Sequence, residues 1–418
     1  MKILFLSENF PPESNAAATR VYERACYWAE WGHEVTVITS APNFPEGRLF
    51  PGFENKWKQA ETMSAIRVVR VKTFIAANRG VTQRALDFLS FMVTGFLAAV
   101  KEDRPDVIAA TSPQFFTAVA GWAAGAVRNV PFVFELGDLW PASITAVGAM
   151  KKSLALSMVE KLELFLYRRS AAIAALTRSF KENLVGRGID KNKIAIVING
   201  VDLARYAPRS RDADLAKEWG VDGKFVIGYV GTHGMAHALG NVLDTAERLK
   251  DETGVCFLLA GAGAERDALM AAAKRRQLDN VIFMPRQPKE LMPAVWSLCD
   301  VALVHLKDSP VFAGVIPSKI FEAQAMGLPL LLCAPEGEAS RIVLNDGAGL
   351  HVPAENPEAL ANAVKALSKD KETIKDFAAA ARRAAPSHSR ETQAREMLDV
   401  LQKTADGRGH LVGVEEVQ

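Results

Sequence analysis

Residues 314–329, GVIPSKIFEAQAMGLP, set a proline, a lysine and a glutamate at the head of an apolar helical pattern. Pro317 suits the first turn of a helix, because the N–H it lacks would have no intrahelical partner there. The backbone N–H groups of Ser318, Lys319 and Ile320 should then point out of the helix end, where the macrodipole favours a negative ligand. The Lys319 ammonium would add a full positive charge beside them. Glu322 lies three residues on and shares the helical face of Lys319. Its carboxylate suits two hydroxyl hydrogens, as from a ribose diol, so phosphate at the helix end and sugar one turn deeper make a nucleotide-sized arrangement. The bland alternative is a surface Lys/Glu pair at i,i+3.

Three other segments follow expected strands and lack bulky side chains: SENFPPESNAAATR (7–20), with Glu13, Ser14 and Asn15; GTHGMAHALGN (231–241), with Gly231, Thr232 and His237; and GAGAER (261–266). Small residues let backbone amides approach an anion, although each loop taken singly reads equally well as a tight turn. GAGAER lacks the third glycine of a dinucleotide fingerprint and its strand lies mid-chain, which argues against NAD. The one D-x-D run, DAD at 212–214, falls in an expected linker, so no metal held by paired aspartates at a diphosphate is expected.

The elements that must carry these groups alternate. KILFL, HEVTVITS, IRVVRV, DVIAAT, PFVFEL, AAIAALT and KIAIVI are short β-branched runs separated by helix-period segments, and such alternation predicts a parallel sheet covered by helices on both faces. Periodicity lapses over 199–215, the expected linker, and then restarts with FVIGYVG, VCFLLAG, NVIFMP, DVALVHL and GLPLLLCAP. The expected organisation is α/β, with two doubly wound Rossmann-like domains facing across a cleft and ligands beyond the carboxyl ends of the strands. Residues 1–200 form the first domain and 201–375 the second. Helices over 376–402 pack back on the first domain, and 403–418 is a disordered tail.

Composition narrows the function classes. The 418 residues carry a formal charge of +2, with 24 basic against 18 acidic side chains in residues 1–200 and 26 against 30 in the remainder. That basic excess, concentrated in 151–193, is too mild for nucleic acid. Four scattered cysteines without C-x-x-C spacing read as reduced core residues of a cytoplasmic protein. The strand-like start argues against a secretory leader. ALDFLSFMVTGFLAAV (85–100) includes Asp87 and is shorter than the roughly 20 residues that span a bilayer, so a buried helix is expected.

The run ALTRSFKENLVGRGIDKNKIAIVINGVDLARYAP (175–208) resembles the domain-junction signature of family-4 retaining glycosyltransferases, which have the GT-B fold. The resemblance extends through FLSENFPPE, GYVGTHG, LLAGAGAERDAL, DVALVHL and IPSKIFEAQAMGLPLL. Pairing DLWP (138–141) with PSKIFE (317–322) is similar to a bacterial subgroup of L-N-acetylfucosamine transferases of surface-polysaccharide synthesis (O-antigen, capsule, lipopolysaccharide).

The resemblance implies a nucleotide-sugar donor, UDP-linked, with Glu322 binding its ribose. The family's first glutamate would fall at Gly314 and its histidine at Gly137, so both are missing, which leaves Asp138 to contact sugar or acceptor. His237 stands where a diphosphate-binding basic residue is usual, which shifts that role to Lys319, Ser318 and the Gly231–Thr232 backbone. Arg286 and Gln287 fall in the loop that holds the base. Glu13, Ser14 and Asn15 belong to the acceptor-side loop. The implied chemistry is retaining, on one sugar face, with the departing diphosphate oxygen taking the acceptor proton and Lys319 stabilising the leaving group without metal or cofactor. The implied acceptor is a lipid-linked glycan. The helix over 150–169, with Leu154, Met158, Leu162 and Phe165 in a stripe and basic ends, is either a core face or a peripheral contact with anionic lipid on the inner face of the cytoplasmic membrane. Competing readings are a sugar-nucleotide 2-epimerase of the same fold and a non-catalytic nucleotide-sugar binder.

Overall fold

The computed structural model describes residues 1–13, 15–44, 46–75, 81–112, 114–139 and 154–414. The chain forms two compact units, Met1–Asn199 with Arg390–Gln418, and Gly200–Ser389.

The first unit holds an eight-stranded sheet in the order β3-β4-β2-β1-β5-β6-β7-β8. The strands are β1 (Lys2–Leu6), β2 (Glu34–Ser40), β3 (Lys58–Met63), β4 (Ile66–Val71), β5 (Val107–Thr111), β6 (Phe132–Leu136), β7 (Ala172–Ala175) and β8 (Ile194–Ile196). Among the described residues, only β3 and β4 pair antiparallel. The two-residue turn between them is made by Ser64 and Ala65, both at positive φ (48° and 62°), the backbone that matches a hairpin to strand twist. Strand β1 shows why both sheet faces need helices. Ile3 and Phe5 pack with Val21, Ala25 and Trp28 of α1 (Ala16–Glu30), whereas Leu4 and Leu6 pack with Phe91 of α2 (Val81–Lys101) and Phe115 and Ala118 of α3 (Phe115–Arg128). Each fully buried side chain of this size contributes about 1.5–3 kcal/mol of transfer free energy.

Helix α2 departs from the buried helix expected of it. Its 83–101 stretch is long and apolar enough to cross a membrane by length and composition, yet only 22% of it is buried. Phe91, Ala98 and Ala99 face the core, while Leu86, Leu89, Val93 and Leu97 are exposed.

The chain returns to the first unit through the helix Arg390–Ala405, where the Trp28 indole donates to the Ala394 carbonyl at 2.9 Å and Met397, Leu398 and Leu401 join the α1 side of the core. The preceding helix, Lys371–Ala384, stays in the second unit, so only the later part of the 376–402 region expected to pack back on the first domain does so. The tail expected to be disordered from 403 is folded as far as Val414. Gly409–Leu411 forms a 3-10 turn, Val412 is buried, and the Gly413 N–H donates to the Asn192 carbonyl at 2.7 Å.

The second unit has six parallel strands in the order β11-β10-β9-β12-β13-β14, namely β9 (Phe225–Val230), β10 (Val255–Ala260), β11 (Val281–Met284), β12 (Val301–His305), β13 (Leu330–Cys333) and β14 (Gly349–Val352). Strand order reverses between β9 and β12, so the ends of those two strands form the switch point where open α/β sheets hold ligands. The loop at Gly231 follows β9, and the helix Lys319–Met326 leads into β13 beside β12.

Candidate active site

Beyond Val230, the sheet continues as loops in backbone contact. The Gly231 N–H donates to the Ala260 carbonyl at 2.9 Å, His233 to Ala262 at 2.9 Å, and Gly261 to Met284 at 3.0 Å. Gly231, Gly261 and Gly263 take φ of 144°, 149° and 157°. A Cβ on Gly261 would lie 1.9 Å from the Gly231 oxygen, and one on Gly263 would lie 2.3 Å from the His233 oxygen. The glycines of GAGAER therefore permit backbone to pack on backbone, which accounts for them without a dinucleotide.

Lys319 turns into this loop. A Cβ on Gly231 would stand 2.8 Å from its Nζ, which sits 3.6 Å from the centre of the Tyr229 ring. Nζ is buried and has no hydrogen-bond partner among the described residues. The Tyr229 hydroxyl donates to the Thr232 carbonyl at 2.7 Å and so braces the loop opposite the lysine.

The helix starts differently from the expectation. Ser318 already has helical dihedrals, and the Ile320 N–H donates to the Pro317 carbonyl at 3.1 Å, so Ile320 is taken up by the first turn. The amides of Ser318 and Lys319 precede it at the helix end. One turn deeper, the half-buried Glu322 accepts a hydrogen bond from the Trp296 indole at 3.1 Å. Trp296 is fully buried, so this indole orients the carboxylate, a role with no local sequence signal. Arg286 is exposed on the loop after β11, and the Gln287 amide donates to its own loop's Pro285 carbonyl at 3.1 Å.

In the first unit, Asp138 is half-buried two residues past β6. A Cβ on Gly137 would lie 2.7 Å from the Ser112 oxygen and 3.1 Å from the Arg20 Nη2, which leaves no room for a side chain next to Asp138. Arg20 is fixed there by Glu135, whose Oε1 meets Arg20 Nε at 3.1 Å and Arg24 Nη2 at 2.8 Å in a buried cluster. Burial pushes the Glu135 carboxyl up, but Arg24 and Arg20 outweigh it and hold it below the usual range.

Glu13 accepts from the amides of Asn43 and Phe44, both at 2.8 Å, from the Asn9 side chain at 2.9 Å and from the Phe10 amide at 3.3 Å. Four donors on one buried carboxylate make it a clamp between two loops. Asn15 caps α1 by accepting from the Ala18 N–H at 2.9 Å. Ser14 lies outside the described residues. The acceptor-side positions are thus spent on local backbone, whereas Gly231, Thr232, Ser318, Lys319, Glu322 and His237 gather around the end of β9.

Comparison with known proteins finds two matched segments along the chain. Residues 15–200 match the family described as Glycosyl transferase 4-like domain, and residues 211–384 match Glycosyl transferases group 1. The chain belongs to the two-domain GT-B glycosyltransferases. Escherichia coli (strain K12) WcaI, named as a colanic acid biosynthesis glycosyl transferase, is 27% identical over 338 residues, 78% of this chain and 82% of that protein. A GDP-mannose-dependent alpha-mannosyltransferase of Mycobacterium tuberculosis is 27% identical over 387 residues, 92% of this chain and 91% of its own. The crystal structure of Anabaena Alr3699/HepE in complex with UDP superimposes with a TM-score of 0.71 at 18% identity, covering 96% of this chain and 100% of that one.

In this glycosyltransferase Lys319 is the buried amine set against the Gly231 turn. Burial lowers Lys319 to about 7, with Glu322 opposing the shift. Burial, with Lys319 as a further cause, lowers His237 to about 3 and His305 to about 4, so both rings are neutral near pH 7. His237 and His305 are locked to each other's backbone, His305 Nδ1 lying 2.8 Å from the His237 oxygen and its Nε2 2.9 Å from Asn241 Oδ1. His237 accordingly brings no full charge to the loop. His233, which carries no signal in the sequence, is fully buried on the same loop with neither ring nitrogen hydrogen-bonded to a described residue; burial, Arg266 and Lys319 lower it to about 4.

Proposed function

We propose that this glycosyltransferase takes a sugar from a nucleoside-diphosphate donor, UDP-linked, and transfers it with retention to a lipid-linked or oligosaccharide acceptor in bacterial surface-polysaccharide synthesis at the inner face of the cytoplasmic membrane. The observation that carries this reading is Lys319: a buried amine without a hydrogen-bond partner among the described residues, aimed at Gly231 at the switch point. Leaving such a group unpaired costs about 1–3 kcal/mol, more if charged, and a ligand oxyanion relieves that cost. A diphosphate at Gly231 and the Ser318 and Lys319 amides would also place a ribose one helical turn away, near Glu322.

The comparison structures of HepE with UDP and with UDP-glucose support a UDP donor, while the mycobacterial relative is named for GDP-mannose, so the base is the first discrimination to make. The pairing of DLWP with PSKIFE supports an amino-deoxy sugar of the L-N-acetylfucosamine kind. Negative charge that grows on the departing diphosphate is stabilised by Lys319 and fixed amides, and one such donor is worth roughly 10²-fold in rate. Metal-independent turnover follows from that assignment. The test is a panel of UDP- and GDP-sugars with lipid-linked acceptors, with and without EDTA. Transfer from a UDP-sugar that survives EDTA, with the anomeric configuration kept, supports the reading. Conversion of UDP-sugar without acceptor, or loss of transfer on chelation restored by magnesium, overturns it.

A further inference from the structure

Seven large apolar side chains lie exposed on three helices that share one face of the first unit's sheet. Helix α2 presents Leu86, Leu89, Val93 and Leu97, exposed by 48%, 38%, 52% and 47%, at spacings of three, four and four residues that put them in one stripe. Val127 ends α3 at 66%, and the helix Leu154–Arg169 presents Met158 at 71% and Phe165 at 36%. The three helices are fastened together. Arg128 Nη1 donates to the Val100 and Glu102 carbonyls, both at 2.6 Å, at the end of α2, and the Trp122 ring of α3 meets Phe165 edge-on at 5.0 Å. All three contribute to the same core.

The exposed charges on these helices are mainly basic. Arg84 and Lys101 are exposed at the two ends of α2, and Lys161, Arg168 and Arg169 are exposed on the third helix, with Arg169 stacked 5.7 Å from the Phe165 ring. Glu160 is the one exposed carboxylate among the described residues of the three helices, and it lies 3.5 Å from Arg187. Asp87 is half-buried, and burial raises its carboxyl to about 7.

We infer that this face docks on an anionic lipid surface, with the α2 stripe inserted at the headgroup–acyl boundary and the flanking lysine and arginines on lipid phosphates. An apolar stripe bounded by cations is the pattern of a helix lying in the interface plane. A two-fold contact between copies of the chain would set these like charges against each other, which disfavours the second occupant such a stripe allows. The docking element is thereby α2, with Met158 and Phe165 contributed by the helix that meets α3, rather than the 150–169 helix alone. The inference does not depend on which sugar is moved.

The test is co-sedimentation of the full chain with vesicles of phosphatidylcholine and of phosphatidylcholine with phosphatidylglycerol, at low and high salt. Leu89→Glu/Val93→Glu is compared with Leu344→Glu, an exposed leucine of the second unit, and folding is checked by thermal melting. The account expects binding to the anionic vesicles that weakens with salt, a partition loss of about ten-fold or more in the double variant, and no loss in the control. No binding to anionic vesicles, or equal binding by the double variant, would overturn it. Sedimentation velocity without lipid provides the second arm: a dimer that the same double substitution dissociates would assign the face to self-association instead.

Discussion

Lys319 holds its ammonium nitrogen 3.6 Å from the centre of the Tyr229 ring, where a methyl group on Gly231 would meet it at 2.8 Å. The cation is supported by an aromatic face and by little else, which suits a group whose main partner arrives with the donor. Lys319→Ala should therefore lower kcat by roughly 10²-fold or more while changing donor KM less, because the amine is worth most where leaving-group charge is greatest. Steady-state kinetics with a fixed acceptor checks this, and a KM effect equal to the kcat effect would contradict it.

The same burial should be visible in stability. An amine lowered to about 7 in the folded chain, against an ordinary value of 10.5, binds fewer protons folded than unfolded between those limits, so its stability cost is largest at low pH and fades as pH rises toward 10.5. Lys319→Met should raise the melting temperature at pH 6–7 by roughly 3 °C or more, with the gain shrinking toward pH 10. Differential scanning calorimetry over that range measures it, and a variant less stable than wild type at pH 6 would show that the lysine is structural.

Glu322 is expected to act on donor affinity. Glu322→Ala should raise donor Kd by about ten-fold, with a smaller effect on the rate of bound substrate, since a charged hydrogen-bonding group of this kind is worth about 1.5–3 kcal/mol. Trp296→Phe, which removes the 3.1 Å indole donor but keeps a large ring, should give a weaker loss in the same direction. Titration calorimetry of both variants separates positioning from contact. Unchanged affinity in both would place the ribose elsewhere.

Placing a histidine beside Asp138 should fail for steric reasons. At Gly137 the new Cβ would stand 2.7 Å from the Ser112 oxygen, so Gly137→His and Gly137→Ala should each cost about 1–3 kcal/mol of stability, without a gain in activity from the imidazole. Chemical denaturation of the two variants tests this, and a stable, more active Gly137→His chain would refute it.

These side chains also mark what could be read along the chain. Parallel strands buried on both faces, such as β1 and β9, announce themselves as continuous apolar runs, so the two α/β units were legible. Strand β3 was not, because KQAETM is a polar edge strand with alternating exposure, and β14 (Gly349–Val352) is a short run without a strong β-branched pattern. The Lys319 and Glu322 pair was legible because helix periodicity is local. The Trp296–Glu322 bond spans 26 residues, and the His233 imidazole, with neither nitrogen hydrogen-bonded to a described residue, depends on three packed loops, so neither had a pattern to find. The four donors on Glu13 show the converse, since a loop composition that suits a ligand is spent here on its own backbone.

The most direct measurement is the binding of UDP and of GDP to the wild-type chain, to Lys319→Ala and to Glu322→Ala by titration calorimetry in one buffer at pH 7. The account predicts saturable UDP binding by the wild type, weaker GDP binding, and a loss of about ten-fold or more in Glu322→Ala, with a smaller loss in Lys319→Ala. Binding of neither nucleotide by the wild type, or equal UDP affinity in all three proteins, would contradict it.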